Sequence, residues 1–254
     1  MSNLKGVYWD LDGTIANTEL EAHLPSFNFA FNDFKLNWNW DIDTYIDLLK
    51  INGGKNRIFY YSKLKNKPLN DQLLKRIHDR KQYHYRNHIK KNNLLSLKPG
   101  VYRLIEELKK MKIRQFIVTS SSKQQAELII NKLFNEFNPF EFIISSDDVQ
   151  FPKPNPSPYL KAMKLSGIEY NKSIAFEDSS QGLKSSLSAN IPTIYVPSNI
   201  PTVIDNDIVL NCFIDTLGNE CNKANVISGP KLDGNYVDYY YLEKYLLTFQ
   251  NAKN

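Results

Sequence analysis

Gly6-Val7-Tyr8-Trp9-Asp10-Leu11-Asp12-Gly13-Thr14 is an apolar and aromatic run that stops abruptly at two carboxylates, a glycine and a hydroxyl. Such a run reads as a buried strand, and in parallel α/β sheets ligands bind at the carboxyl ends of strands. Two aspartates one residue apart on a strand share a face and repel when ionised, so holding them close requires a cation or a shared proton. Mg²⁺, which takes oxygen ligands from one or two carboxylates, waters and substrate phosphates, meets that requirement. A strand-ending Asx turn is the ordinary alternative. A calcium loop fails on spacing, because the EF-hand glycine belongs at the sixth loop position and no helix precedes this stretch.

Three later stretches supply matching parts at the ends of other apolar runs. Ile113-Arg114-Gln115-Phe116-Ile117-Val118 leads into Thr119-Ser120-Ser121-Ser122 ahead of a helix expected from Lys123 to Leu133. Hydroxyls and main-chain N–H groups at a helix start form an anion site. Phe151-Pro152-Lys153-Pro154 fixes a lysine in a loop stiffened by proline, where little freedom remains to be lost on meeting an anion. Ser173-Ile174-Ala175-Phe176 ends in Glu177-Asp178-Ser179-Ser180. Each alone has an ordinary explanation: a helix cap, a solvated loop cation, a turn with a capping acid.

As a set and in this order, these elements resemble the four signature motifs of the haloacid dehalogenase superfamily of phosphotransferases, over the stretch from Val7 to about Val196. The resemblance implies that Asp10 is a nucleophile forming an aspartyl phosphate and that Asp12 is the general acid and base. An acid at the second position is the mark of the superfamily's phosphatases and phosphomutases. Lys153 and the serine loop would stabilise the phosphoryl charge. Mg²⁺ would be held by the Asp10 carboxylate, the Asp12 main-chain carbonyl and Asp178, with Glu177 close by. For the hydroxyl of the second motif, strand counting suggests Thr119 and the register of the following helix suggests Ser120; Ser120 is preferred, with Ser121 beside it contacting substrate.

The full sequence has 254 residues, enough for a catalytic core and an insertion. About a hundred residues separate Thr14 from the next motif strand, too many for a simple crossover. Apolar clusters at mainly helical spacing fill that interval: Phe27-Asn28-Phe29-Ala30-Phe31, Tyr45-Ile46-Asp47-Leu48-Leu49, Ile58-Phe59-Tyr60-Tyr61 and Leu73-Leu74-Lys75-Arg76-Ile77. The expected fold is therefore α/β, a doubly wound, mostly parallel Rossmann-like sheet core (residues 1–18 and 96–254) with an inserted helical cap domain (residues 19–95). Such caps close over a site and choose its substrate. Further strands are expected at Phe140 to Ser145, Thr193 to Val196 and Val209 to Ile214, and a closing helix from Tyr236 to Phe249.

In the cap, Gly53-Gly54-Lys55-Asn56-Arg57 joins a glycine pair, which admits close approach of a ligand, to two cations. Read functionally it is a second anion site; read structurally it is an interhelical turn. Together with Glu19, His23, Ser26-Phe27-Asn28, Trp40-Asp41 and Tyr45, this loop resembles the CbbY subgroup, whose activity is removal of one phosphate from xylulose 1,5-bisphosphate. Asn17 and Asn56 depart from its pattern. The resemblance places substrate contacts at Glu19, His23, Tyr45, Gly53, Gly54, Lys55 and Arg57. The neighbouring β-phosphoglucomutases share fold and core motifs, and the fate of the aspartyl phosphate separates the two.

The formal net charge is +5, and residues 75–91 interleave cations with Tyr83, Tyr85 and three histidines. That pattern fits nucleic-acid binding, but a solvated amphipathic helix relieved by Asp79 accounts for it more simply. His84 and His88 have the spacing of a zinc pair without an evident third ligand. The cysteines, Cys212 and Cys221, imply no disulfide framework. No run approaches the length of a membrane span, and no leader is expected ahead of the first strand. The expectation is a cytoplasmic monomer acting on a small phosphorylated sugar, with neither nucleic acid nor membrane as partner.

Overall fold

Val7, Tyr8 and Trp9 are fully buried, as a strand covered on both faces requires. The computed structural model describes residues 3–51, 53–91, 95–135, 137–200 and 204–253. Strands β1 (Gly6–Trp9), β2 (Arg114–Val118), β3 (Ile143–Ile144), β4 (Ser173–Glu177), β5 (Thr193–Tyr195), β6 (Phe213–Ile214) and β7 (Val226–Ser228) form a sheet in the order β3-β2-β1-β4-β5-β6-β7. All neighbours are parallel except β6 and β7. Trp9 pairs with Ile117 on one side and Phe176 on the other. The strand order reverses at β1, so its carboxyl end opens at the topological switch point where such sheets bind ligands.

The chain divides into two compact units, one of Met1–Asn17 with Ser96–Asn254 and one of Thr18–Leu95. The second begins with a π-helical turn over Glu19–His23 and continues through α1 (Leu24–Asp33), α2 (Ile42–Leu49), α3 (Gly54–Leu64) and α4 (Asp71–Lys91). The first carries the sheet with α5 (Val101–Lys110), α6 (Lys123–Phe134), α7 (Ser157–Ser166), α8 (Ser180–Ser188) and α9 (Tyr239–Lys253). Alternation along the strands sends Tyr8, Phe116, Val118 and Ala175 into one cluster with Tyr159 and Ala162 of α7. On the other face, Trp9 Nε1 donates to Gln115 Oε1 at 3.1 Å, and Gln115 Nε2 donates to the Ile105 carbonyl of α5 at 3.0 Å.

Several elements differ from the sequence expectation at the sheet margins. β3 spans only Ile143–Ile144, because Ser145 turns the chain: its N–H and hydroxyl both donate to Asp148 Oδ2. β6 is confined to Phe213–Ile214, and Val209 is 73% exposed. β7 was not anticipated; it lacks the buried alternation that marks an inner strand. α9 starts at Tyr239, where Asp238 Oδ1 accepts the Tyr241 N–H at 2.8 Å and caps the first turn.

In the helical unit, α4 buries Leu74, Ile77, Lys81, Tyr85 and Ile89 along one stripe. Lys81 therefore belongs to the packed face and not to a solvated one. Acidic relief comes from Asp33 of α1, which accepts from Arg80 and from His84 Nε2 at 2.7 Å, as well as from the expected Asp79, whose charge acts on His78. Cys212 and Cys221 are both free thiols. Among the described residues no helix is long and apolar enough to cross a membrane.

Candidate active site

Asp10 follows β1 directly and keeps its ladder bond, its N–H donating to the Phe176 carbonyl at 3.1 Å. Its side chain is buried, and Oδ1 accepts from Lys153 Nζ at 2.7 Å. The same ammonium donates to the Val118 carbonyl at 2.8 Å and to Glu177 Oε1 at 2.6 Å. Its three donors thus join the carboxyl ends of β1, β2 and β4, which no neutral side chain could do with equal strength. Tyr159 donates its hydroxyl to Glu177 Oε1 as well.

Asp10, Glu177 and Asp178 each offer an oxygen within 4.8 Å of the others. Glu177 Oε2 is buried without a hydrogen-bond partner, and so is Thr14 Oγ1. Gly13 has φ +85°, and a Cβ there would stand 1.9 Å from Asp178 Oδ2. In the first turn of α8, a Cβ on Gly182 would stand 1.7 Å from Glu177 Oε2. Both glycines therefore make room for carboxylates at a helix start and a tight turn, where main-chain dipoles favour an anion. An orphaned oxygen inside a cluster of acids fits a hard divalent cation.

The electrostatics agree. Burial pushes the Asp10 carboxyl up, against the pull of Lys153, and Asp12 adds to the rise. Burial likewise pushes Glu177 up to about 7 although Lys153 pulls it down. Burial alone would depress the Lys153 ammonium, but the charges of Asp10 and Glu177 outweigh it and hold it above its ordinary value. This is how a buried cluster with excess negative charge behaves, and a bound cation reverses such shifts.

Asp12 accepts from Ser121 Oγ at 2.7 Å, so Ser121, expected to touch substrate, instead holds an acid of the first motif. Thr119 is buried and its Oγ1 accepts the Ser121 N–H at 3.0 Å, whereas Ser120 is exposed after β2. In the helical unit Glu19 accepts the Tyr45 hydroxyl, and the Arg57 guanidinium lies 6.0 Å over the Tyr45 ring while Nε donates to the Ile51 carbonyl. Tyr45 is fully buried among Phe27 and Trp40, so its place is behind Glu19 and not at a ligand surface. His23 stacks on Tyr85 at 4.4 Å, and its Nδ1 lies 2.7 Å from Lys81 Nζ, which can only donate. Gly53, φ +81°, precedes α3; Lys55 is exposed in its first turn, and a Cβ on Gly54 would press Phe27 at 3.0 Å.

Three contributors escape sequence reasoning. Tyr159 and Gly182 act by approach to Glu177. Lys98, just past the expected end of the insertion, is buried with Nζ donating to the carbonyls of Gly13 at 2.7 Å, of Val196 at 3.4 Å and of Pro197. Burial draws its ammonium down to about 8, with Asp178 and Asp10 acting in the opposite direction. No local signal separates Lys98 from a surface lysine.

Residues 7–196 match the family model of haloacid dehalogenase-like hydrolases. Protein CbbY of Rhodobacter capsulatus is 32% identical over 197 residues, 77% of this chain and 86% of that protein. The plasmid-encoded Protein CbbY of Cupriavidus necator is 30% identical over 202 residues, 77% of this chain and 79% of that one. A crystal structure of a CbbY variant from Rhodobacter sphaeroides in complex with xylulose 1,5-bisphosphate is 26% identical, with TM-score 0.75 over 84% of this chain and 94% of that one. Similarity of this breadth makes the chain a member of the haloacid dehalogenase-like hydrolases, on their CbbY-like branch.

Proposed function

We propose that this hydrolase is a sugar-phosphate phosphatase that works through an aspartyl phosphate on Asp10 and removes the 1-phosphate of xylulose 1,5-bisphosphate. The observation that carries the reading is the buried Asp10–Lys153 pair, at 2.7 Å, beside Asp178 at the switch point of the sheet. Asp10 attacks phosphorus as the bond to the sugar oxygen breaks, and Asp12 gives that oxygen its proton. Asp12 then takes a proton from water, whose oxygen attacks phosphorus, so that inorganic phosphate leaves and Asp10 is regenerated. Lys153 fixes the Asp10 carboxylate through Oδ1, and with the Ser120 hydroxyl it offsets phosphoryl charge. Asp10, Asp178 and the Asp12 carbonyl, with Glu177 adjacent, would hold Mg²⁺, which when bound neutralises charge on the transferring group.

The substrate assignment leans on the CbbY relative crystallised with xylulose 1,5-bisphosphate. It also leans on Lys55 and Arg57 behind the glycine pair, proposed to take the second phosphate, with Glu19 and His23 meeting sugar hydroxyls. The test is phosphate release with Mg²⁺ across sugar mono- and bisphosphates. Xylulose 1,5-bisphosphate should be hydrolysed, Asp10→Asn should reduce kcat by about 10⁴-fold or more, and Lys55→Ala with Arg57→Ala should raise KM for bisphosphates selectively. Full activity in Asp10→Asn would sink the mechanism. Unchanged bisphosphate preference in the double variant would sink the cap assignment, and glucose 6-phosphate formed from β-glucose 1-phosphate would indicate a mutase.

A further inference from the structure

The return from the helical insertion passes through Leu97-Lys98-Pro99-Gly100, and Lys98 meets the catalytic loop twice. Its main-chain N–H donates to the Ile15 carbonyl at 2.9 Å, and its ammonium donates to the Gly13 carbonyl at 2.7 Å. The remaining donors reach the carbonyls of Val196 and Pro197, in the segment after β5. That segment is tied to the second acid pair, because the Val196 N–H donates to the Glu177 carbonyl at 2.9 Å. It also packs on the first, since a Cβ on Gly13 would stand 3.1 Å from Ser198 Cβ. One buried ammonium therefore bridges the loop bearing Asp10 and Asp12 to the segment after β5, which is itself bonded to the end of β4 that carries Glu177.

An ammonium with three donors and three main-chain acceptors is fully satisfied, and its bonds are charge-assisted. It occupies its place as a small monovalent cation would, on a ring of carbonyl oxygens, but tethered to the chain. We infer that Lys98 is a positioning residue for phosphoryl transfer, a built-in cation that holds the Asp10–Asp12 loop in register with Asp178. The inference rests on the aspartyl-phosphate reading of the site. Lys98 need not touch substrate; it fixes where two carboxylates stand relative to each other, and a displacement of about 1 Å can cost on the order of 100-fold in rate.

The experiment is steady-state phosphate release at saturating Mg²⁺ from xylulose 1,5-bisphosphate and from p-nitrophenyl phosphate, whose hydrolysis does not depend on the substrate assignment. Lys98→Met should lower kcat by about 100-fold with KM within about threefold of wild type and with unchanged far-ultraviolet circular dichroism. Should the apolar variant fail to fold, Lys98→Gln, which keeps amide donors without the charge, takes its place with the same criterion. In Lys98→Ala, propylammonium chloride should raise kcat about tenfold without moving the melting temperature, whereas tetramethylammonium at equal ionic strength should do neither. A folded neutral variant with wild-type kcat, or equal recovery with both amines, would overturn the assignment. Asp10→Asn is run alongside: if it retains phosphate release, the aspartyl-phosphate reading fails, whereas its loss beside an active Lys98→Met sinks only the role of Lys98.

Discussion

A methyl group on Gly182 would lie 1.7 Å from Glu177 Oε2 and 2.2 Å from its Cδ. The carboxylate cannot swing aside freely, because Oε1 is held by Lys153 and Tyr159. Within a helix, glycine to alanine ordinarily gains up to about 1 kcal/mol; here overpacking at about 1–3 kcal/mol should exceed that gain. Gly182→Ala is thus expected to lower stability in urea and, by shifting Lys153, to lower kcat. Wild-type kcat with raised stability would show that the carboxylate relaxes. His78 provides the pH-dependent counterpart in the helical unit. Burial first, then the charges of Lys81 and Lys55, pull its imidazole from an ordinary 6.5 down to about 4, with Asp79 opposing. The unfolded chain therefore binds more protons between those values, so stability contributed by neutral His78 is present above pH 6.5 and lost as pH falls towards 4. By pH 5 the loss should reach about 1–2 kcal/mol. His78→Gln should flatten the melting profile between pH 7 and 5; an equally steep profile would place the acid sensitivity elsewhere.

Among elements, the inner strands were legible and the margins were not, for one physical reason. β1, β2 and β4 are paired on both sides and read as apolar runs that end in chemistry. β3 is paired on one side, and β6 and β7 are short, so polar turns such as Ser145–Asp148 decide where they stop. The helical unit was legible as helices, but not the aromatic knot that joins α1, α2 and α3. Trp40, 1% exposed in the loop between α1 and α2, meets Phe27 at 4.6 Å, Phe31 at 4.8 Å and Tyr61 at 5.4 Å. Asn28 fixes that loop by accepting the Trp40 N–H and donating to its carbonyl, both at 2.8 Å. Trp40→Ala should cost about 3–5 kcal/mol. Trp40→Phe should cost markedly less, because the indole N–H is buried without an acceptor and its removal lifts a desolvation penalty of about 1–3 kcal/mol. Chemical denaturation of both variants checks the order; equal losses would mean that the indole N–H contributes a bond in solution.

At the scale of the whole molecule, a chain of net charge +5 carries a buried site in which Asp10, Glu177 and Asp178 outnumber Lys153. The global excess favours the approach of anionic substrates, while the local deficit of positive charge calls for a cation. The motifs that build the site were readable because each lies at the end of its own apolar run. Lys98 was not, because its partners stand 85 and 98 residues away and only the packing of the loop after β1 against the segment after β5 brings them together. On the proposed Mg²⁺ site, cation binding would be a stability term for the unit of Met1–Asn17 and Ser96–Asn254. A ligand that binds only the folded state stabilises it by about 2.7 kcal/mol at a hundred times its dissociation constant. Mg²⁺ at that excess should therefore slow amide exchange about 100-fold in the most protected residues of β1 and β4. Asp178→Asn should abolish most of the effect by removing a donor while keeping the shape of the side chain. If wild type showed no slowing, or if Asp178→Asn showed the same slowing, the cation would not be bound by this cluster.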